Sequence, residues 1–127
     1  MRVYLISPKL PQYPNAKFPG VVVWSEIYQA TAPVLRFARS IASQGYVCAV
    51  PSVFHEFAGA EALAYDTPGT DAGNDYKYKK LLKAYDSDSK AAIDLLCRQA
   101  NCNGRIGTTG MCLGGESGSF SGIARSH

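Results

Sequence analysis

Two short runs of apolar, largely β-branched residues constrain the fold of this chain most: Val21-Val22-Val23-Trp24 and Tyr46-Val47-Cys48-Ala49-Val50. Neither run alternates polar with apolar residues, so each predicts a strand buried on both faces. Gly20 bounds the first run and Pro51 closes the second. Between them Val34, Phe37, Ala38, Ile41 and Ala42 recur at helical spacing. Thr31 is placed to cap that helix, Pro33 falls in the first turn, where proline is tolerated, and Gly45 falls just past its end. Strands separated by helical runs predict a mostly parallel sheet with helices on both faces, the α/β class.

The remaining segments extend that pattern. Arg2 to Ser7 reads as a first strand, and the stretch from Pro8 to Pro19 holds four of the seven prolines and reads as loop. Residues 53–74, with Gly59, Pro68, Gly69 and Gly73, read as a long irregular excursion, a kind of segment that in compact domains is commonly functional. Residues 76–101 read as helix in two pieces, broken near Asp86-Ser87-Asp88, whose carboxylates would serve as caps. Arg105 to Thr109 reads as the last strand. A length of 127 residues suits one domain, spanning 1–127, with a single core, although it is short for a doubly wound sheet.

Composition narrows the function classes. A hydrophobic content of 46% with 18% charged residues describes a globular chain. The net charge is only +3, and the basic residues are scattered apart from Lys77, Lys79, Lys80 and Lys83. That cluster reads as a solvated helix face, too narrow for a nucleic-acid footprint. With no apolar run of 18 residues, no membrane partner is expected. Residues 1–8 lack the apolar core and cleavage site of a signal peptide, which points to a cytoplasmic location. Cys48 falls in a strand and Cys97 on an apolar helix face, both settings for buried reduced thiols. Cys102, in Asn101-Cys102-Asn103-Gly104, reads as a loop thiol. No Cys-x-x-Cys pair occurs, so neither a metal site nor another cofactor is expected.

The fourth cysteine has a different setting. Gly110-Met111-Cys112-Leu113-Gly114-Gly115 follows the last strand directly. A strand running into Gly-x-nucleophile-x-Gly is a nucleophile elbow, here with cysteine in place of serine. The glycines leave room for a nucleophile held on a strained turn against the neighbouring strand and helix. A buried structural thiol is the competing reading, and the full glycine pattern favours the nucleophile. A phosphate-cradling loop is disfavoured, because no Lys-Ser or Lys-Thr follows the glycines.

Val21 to Tyr28, ending in Trp24-Ser25-Glu26-Ile27-Tyr28, then Gly45 to Pro51, then the Cys112 elbow, occur in the order and spacing of the dienelactone hydrolase family, which the chain resembles from about Gly20 to Gly115. The resemblance implies an α/β-hydrolase fold, a Cys-His-Asp triad and the opening of a small lactone or ester substrate. By position, Cys112 matches the nucleophile. The backbone N–H groups of Leu113 and Ile27 match the oxyanion-hole donors. Glu26 matches the acidic residue beside the thiol. The family's Asp and His follow its nucleophile, whereas only 15 residues follow Cys112 here, so the domain is expected to be incomplete and its turnover impaired. Where the family carries a substrate-binding arginine, the lysines around Lys77 stand instead, and a lysine cannot grip a carboxylate as a bidentate fork.

His55, in Phe54-His55-Glu56-Phe57, precedes the nucleophile and reads as a loop or substrate-pocket histidine, with Lys77 as its companion in that pocket. His127 reads as a disordered terminal residue. Tyr65, Tyr76, Tyr78 and Tyr85 fit pocket lining and amphipathic surface equally. After the elbow, Glu116 to Gly122 holds two glycines and three serines, a poor helix. The alternative function is a non-catalytic hydrolase-like fragment or partner-binding module. If the last strand lies at a sheet edge, self-association through that edge is expected.

Overall fold

The computed structural model describes residues 2–25, 28–58, 62–80 and 82–110. Its four strands are β1 (Val3–Ile6), β2 (Phe18–Trp24), β3 (Val47–Pro51) and β4 (Cys102–Gly110), in one sheet of spatial order β1-β3-β2-β4. β2 runs parallel to both β3 and β4, and β1 is antiparallel to β3. The mostly parallel sheet expected from sequence is therefore present, with one antiparallel strand at its edge. Every residue of β3 is buried, as are Val22, Val23 and Trp24 of β2. This is the two-sided burial that unbroken apolar runs require.

Four helices accompany the sheet: α1 (Ala32–Ala42), α2 (His55–Ala58), α3 (Thr67–Lys79) and α4 (Leu82–Cys97). Successive residues of a strand face opposite sides, and the two helical layers divide them accordingly. Val34, Ala38 and Ala42 of α1 pack with Val23, Cys48 and Val50 on one face. Ala92, Ile93 and Leu96 of α4 pack with Val22, Trp24, Val47, Ala49 and Ile106 on the other. α1 ends as anticipated, with Gly45 at φ 97° and its N–H donating to the Ala42 carbonyl at 3.0 Å. Gly20 answers to packing instead: a Cβ there would lie 2.7 Å from Ile106 Cδ1 and 3.2 Å from Leu96 Cδ1.

Three expectations are corrected. The excursion from 53 to 74 is not wholly irregular, since α2 and the first half of α3 lie within it. Asp66 starts α3 by accepting the Gly69 N–H at 2.7 Å, and Pro68 fits the first turn. The helical break falls after α3 at Lys80, which turns to an extended conformation (φ −68°, ψ 127°), and not at 86–88, which lies inside α4. Asp88 is drawn inward by the Lys80 ammonium, so it pairs with a buried charge in place of capping a helix. The third correction concerns Cys102, which opens β4 and is buried in the core. Its Asn-Cys-Asn-Gly signal marks an irregularity within the strand: Gly104 takes φ 85°, and the β2–β4 register shifts between Phe18 and Gly20.

Candidate active site

The connection through α1 leads from β2 to β3 over one face of the sheet. The connection through α4 leads to β4 over the other face and onto the opposite side of β2. Where connections diverge in this way, a crevice opens outside the carboxyl ends of the two strands, and ligands of open α/β sheets bind there. In this chain the crevice lies between the ends of β2 and β4. Their last residues are in register, Trp24 beside Gly110, and neighbouring strands lie about 4.8 Å apart. Glu26 follows Trp24 by two residues, and Cys112 follows Gly110 by two. Glu26, Ile27, Cys112 and Leu113 themselves lie outside the described residues.

The described part of the β2–α1 loop is fastened on several sides. Gln29 is fully buried with φ 64°, in the left-handed region, and its Oε1 accepts the Phe54 N–H at 3.0 Å. The Tyr28 carbonyl accepts the Leu63 N–H at 2.9 Å. Tyr28 and Thr70 share a hydroxyl hydrogen bond of 2.7 Å, and the Tyr65 hydroxyl donates to Thr31 Oγ1 at 2.7 Å. The rings of Tyr28 and Tyr65 meet at 4.6 Å between centroids. Residues 62–70 are thereby held against this loop. Thr31, expected to cap α1 through its side chain, makes no such bond and spends its hydroxyl on Tyr65.

A second cluster fixes the far side of the same edge. The Lys80 side chain is fully buried, donating to the Val53 carbonyl, to Asp88 Oδ2 and to Glu56 Oε1, the last at 3.1 Å. The Tyr85 ring lies 5.0 Å from the ammonium, close enough for cation–π attraction. Lys80 is thus no member of a solvated face, which corrects that expectation for one of the four lysines. Its neighbour Lys79 is exposed and pairs with Asp75 at 2.7 Å, and this hydrogen bond holds its pKa above the ordinary value. α2, which His55 opens, meets the last turn of α3, which holds Lys77, through Phe57 stacked on Tyr76 at 5.2 Å. Phe54 also meets Tyr76, at 5.8 Å. Tyr76 and Tyr85 therefore pack against the core, whereas Tyr65 stays largely exposed while its hydroxyl and ring contact Thr31 and Tyr28.

The thiols among the described residues are Cys48, Cys97 and Cys102, none joined in a disulfide. Burial pushes the Cys48 thiol from its ordinary 9.0 up to about 11, as an unreactive core cysteine requires. No group of three His, Cys, Asp or Glu side chains among the described residues could hold a metal ion. The Trp24 indole N–H is buried without a hydrogen-bond partner among them. A cavity of about 320 Å³, lined by Pro8, Leu10, Pro11, Tyr13, Phe18 and Asn101, opens where β2 and β4 begin, at the opposite edge from the crevice.

The model of the dienelactone hydrolase family matches residues 1–123. The chain belongs to the dienelactone hydrolase family. The match reaches beyond both ends of the span in which its motifs were legible. Among family relatives, a Saccharomyces cerevisiae protein named "Putative carboxymethylenebutenolidase" is 57% identical over 117 residues, covering 91% of this chain and 43% of the relative. The carboxymethylenebutenolidase of Pseudomonas putida is 30% identical over 106 residues, covering 80% of this chain and 43% of the enzyme. The chain thus spans less than half the length of the curated relatives it matches. Among solved structures, a dienelactone hydrolase-like promiscuous phosphotriesterase from metagenomic libraries superposes with a TM-score of 0.68 at 21% identity. That superposition covers 84% of this chain and 42% of the other. The fold is that of the dienelactone hydrolase-like α/β-hydrolases.

Sequence reasoning missed Gln29, Tyr28 with Thr70, and the buried Lys80. For Gln29 no signal existed, because a left-handed residue is ordinarily announced by Gly or Asn. For Lys80 a signal did exist: two carboxylates, Glu56 and Asp88, lie within reach of one lysine once the chain turns at residue 80.

Proposed function

We propose that the chain carries the nucleophile half of a hydrolase for small lactones or esters, with Cys112 as nucleophile. The observation that carries this reading is the register of Trp24 beside Gly110. Glu26 and Ile27 follow β2 in sequence and Cys112 and Leu113 follow β4, and the adjacency of these two parallel strand ends supports the reading, because ligands of this fold class bind outside such ends. In the proposed reaction the Cys112 thiolate attacks the carbonyl carbon, forming a C–S bond. The carbonyl oxygen becomes an oxyanion held by the N–H groups of Leu113 and Ile27, each such donor commonly worth about 2.7–4 kcal/mol in the transition state. Collapse breaks the C–O bond and releases the alkoxide or enolate, and water then cleaves the thioester and returns the thiol. Glu26 influences the ionisation of that thiol. His55 and Lys77 contribute to the substrate pocket, on α2 and α3 elements that meet over the same edge.

No aspartate follows Cys112 in these 127 residues, and the one histidine that does is His127. The 127-residue polypeptide is therefore expected to be acylated by an activated aryl ester once and not to turn over. Mass spectrometry after ester treatment tests this, with one acyl group mapping to Cys112 and none in Cys112→Ala. Sustained turnover lost in Cys112→Ala would instead assign the base to His55 or His127. Unlabelled Cys112 would favour the alternative, a non-catalytic partner-binding module. The reading includes a cytoplasmic location, supported by cysteines that, among the described residues, form no disulfide. No helix among the described residues is long and apolar enough to cross a membrane. Self-association through β4 belongs to the same proposal, supported by the place of β4 as the outermost strand on its side among the described residues.

A further inference from the structure

We propose that Gln29 is the positioning residue of the oxyanion-hole loop, an inference that rests on the assignment of Ile27 as a donor. Gln29 stands two residues beyond Ile27 and holds a backbone conformation, φ 64°, that a side-chain-bearing residue adopts only when its surroundings impose it. What imposes it is visible. The side chain is fully buried, and its Oε1 accepts the backbone N–H of Phe54 at 3.0 Å. Phe54 belongs to the segment after β3 whose Val53 carbonyl and Glu56 carboxylate are gripped by the buried Lys80. Gln29 thus ties the loop leaving β2 to a neighbouring segment that is itself anchored. One residue earlier, the Tyr28 carbonyl takes the Leu63 N–H at 2.9 Å, and one turn later the Thr31 N–H returns to the Gln29 carbonyl at 2.9 Å.

A turn held this tightly has a consequence for chemistry. An N–H group stabilises an oxyanion only when it lies within hydrogen-bond distance of where that oxygen forms, and a displacement of about 1 Å costs about a hundredfold in rate. Releasing the Phe54 tie lets the loop relax and moves the donor. Any change in thiol ionisation through Glu26, on the same loop, alters every reaction of Cys112 alike, whereas the donor serves only one that passes through an oxyanion.

Two reactions of Cys112 separate these effects. Acylation by an activated aryl ester forms C–S, breaks C–O and passes through an oxyanion. Alkylation by iodoacetamide forms C–S, expels iodide and passes through none. Gln29→Gly adopts φ 64° freely but lacks the acceptor, and Gln29→Met keeps the side-chain bulk without it. In both variants the ratio of acylation to alkylation rate at Cys112 is expected to fall about 10- to 100-fold. Gln29→Gly keeps the test decisive if Gln29→Met fails to fold. A parallel fall in both rates reduces Gln29 to a support of the fold and overturns the inference. Unchanged acylation in a folded Gln29→Gly, with the parent acylated at Cys112, overturns it alone. A parent not acylated at Cys112 removes the proposed function, and the inference with it.

Discussion

Lys79 and Lys80 are adjacent in sequence, and the structure treats them oppositely. Lys79 is 59% exposed and pairs with Asp75 across one helical turn in full contact with water. An ion pair of that kind contributes little to stability. The Lys80 side chain is inaccessible, and its removal would take a buried cation away from Asp88, itself only 11% exposed, and from the Val53 carbonyl. Breaking a buried pair from one side costs about 3–5 kcal/mol. Lys80→Ala is accordingly expected to lower unfolding free energy by that amount and Lys79→Ala to leave it nearly unchanged, as read from urea midpoints. Equal midpoints for the two variants would contradict the buried cluster. Cys48 gives a prediction with pH. Its folded pKa is raised to about 11 by burial, so the folded state holds the thiol proton more tightly than the unfolded one. Its contribution is complete below about pH 9 and is lost as pH rises through about 11, costing roughly 2–3 kcal/mol in all. Stability curves of the parent and Cys48→Ala should therefore converge at alkaline pH, and parallel curves would show that Cys48 does not titrate in this way.

Among the elements, α3 is the one least visible in the sequence, and a few contacts make it. Asp66 accepts the Gly69 N–H, and the absence of a side chain at Gly69 lets the chain pass close to the Ala64 carbonyl, only 2.0 Å from where a Cβ would stand. Asp66→Ala should cost about 1 kcal/mol, the usual loss of an N-cap. Gly69→Ala should cost more, since the obstruction is backbone and cannot move aside. Amide exchange across residues 67–79 would register both, with the larger loss of protection in Gly69→Ala. Glycine, proline and aspartate together read as loop, although proline and aspartate are also what a helix start uses. The ambiguity lies in the residues themselves, and tertiary contacts resolve it. β2, β3 and α1 were legible because unbroken apolar runs and a 3.6-residue period each have one structural solution. β4 was legible from residue 105 onward but not at its start, because a strand irregularity at Gly104 carries the same residues as a turn. The proposed site rests on motif and order, since the Cys112 elbow, Glu26 and Ile27 are one-dimensional signals that lie outside the described residues. The ties that hold its loops were not legible, because Gln29 and Phe54, or Tyr65 and Thr31, are far apart in sequence and ordinary in type.

At the scale of the whole molecule, the sheet is asymmetric about β2. On one side β3 and β1 follow, whereas on the other β4 is the last strand among the described residues. A strand in that place offers backbone N–H and C=O groups to any second chain, a hazard that proteins blunt by placing charges on the edge. β4 is weakly defended in this sense. Arg105 is its one charged residue, and Gly107, Thr108, Thr109 and Gly110 are uncharged and half-buried. Gly107 suits a test, because a Cβ introduced there would meet nothing within 4 Å. Gly107→Lys therefore adds an edge charge without disturbing the core on either face. If β4 mediates association, the parent sediments as dimer or larger at high concentration, and Gly107→Lys shifts it toward monomer with no loss in melting temperature. A parent that remains monomeric across the same concentrations would show that this edge is covered. An oligomer unaffected by Gly107→Lys would place the contact elsewhere on the molecule.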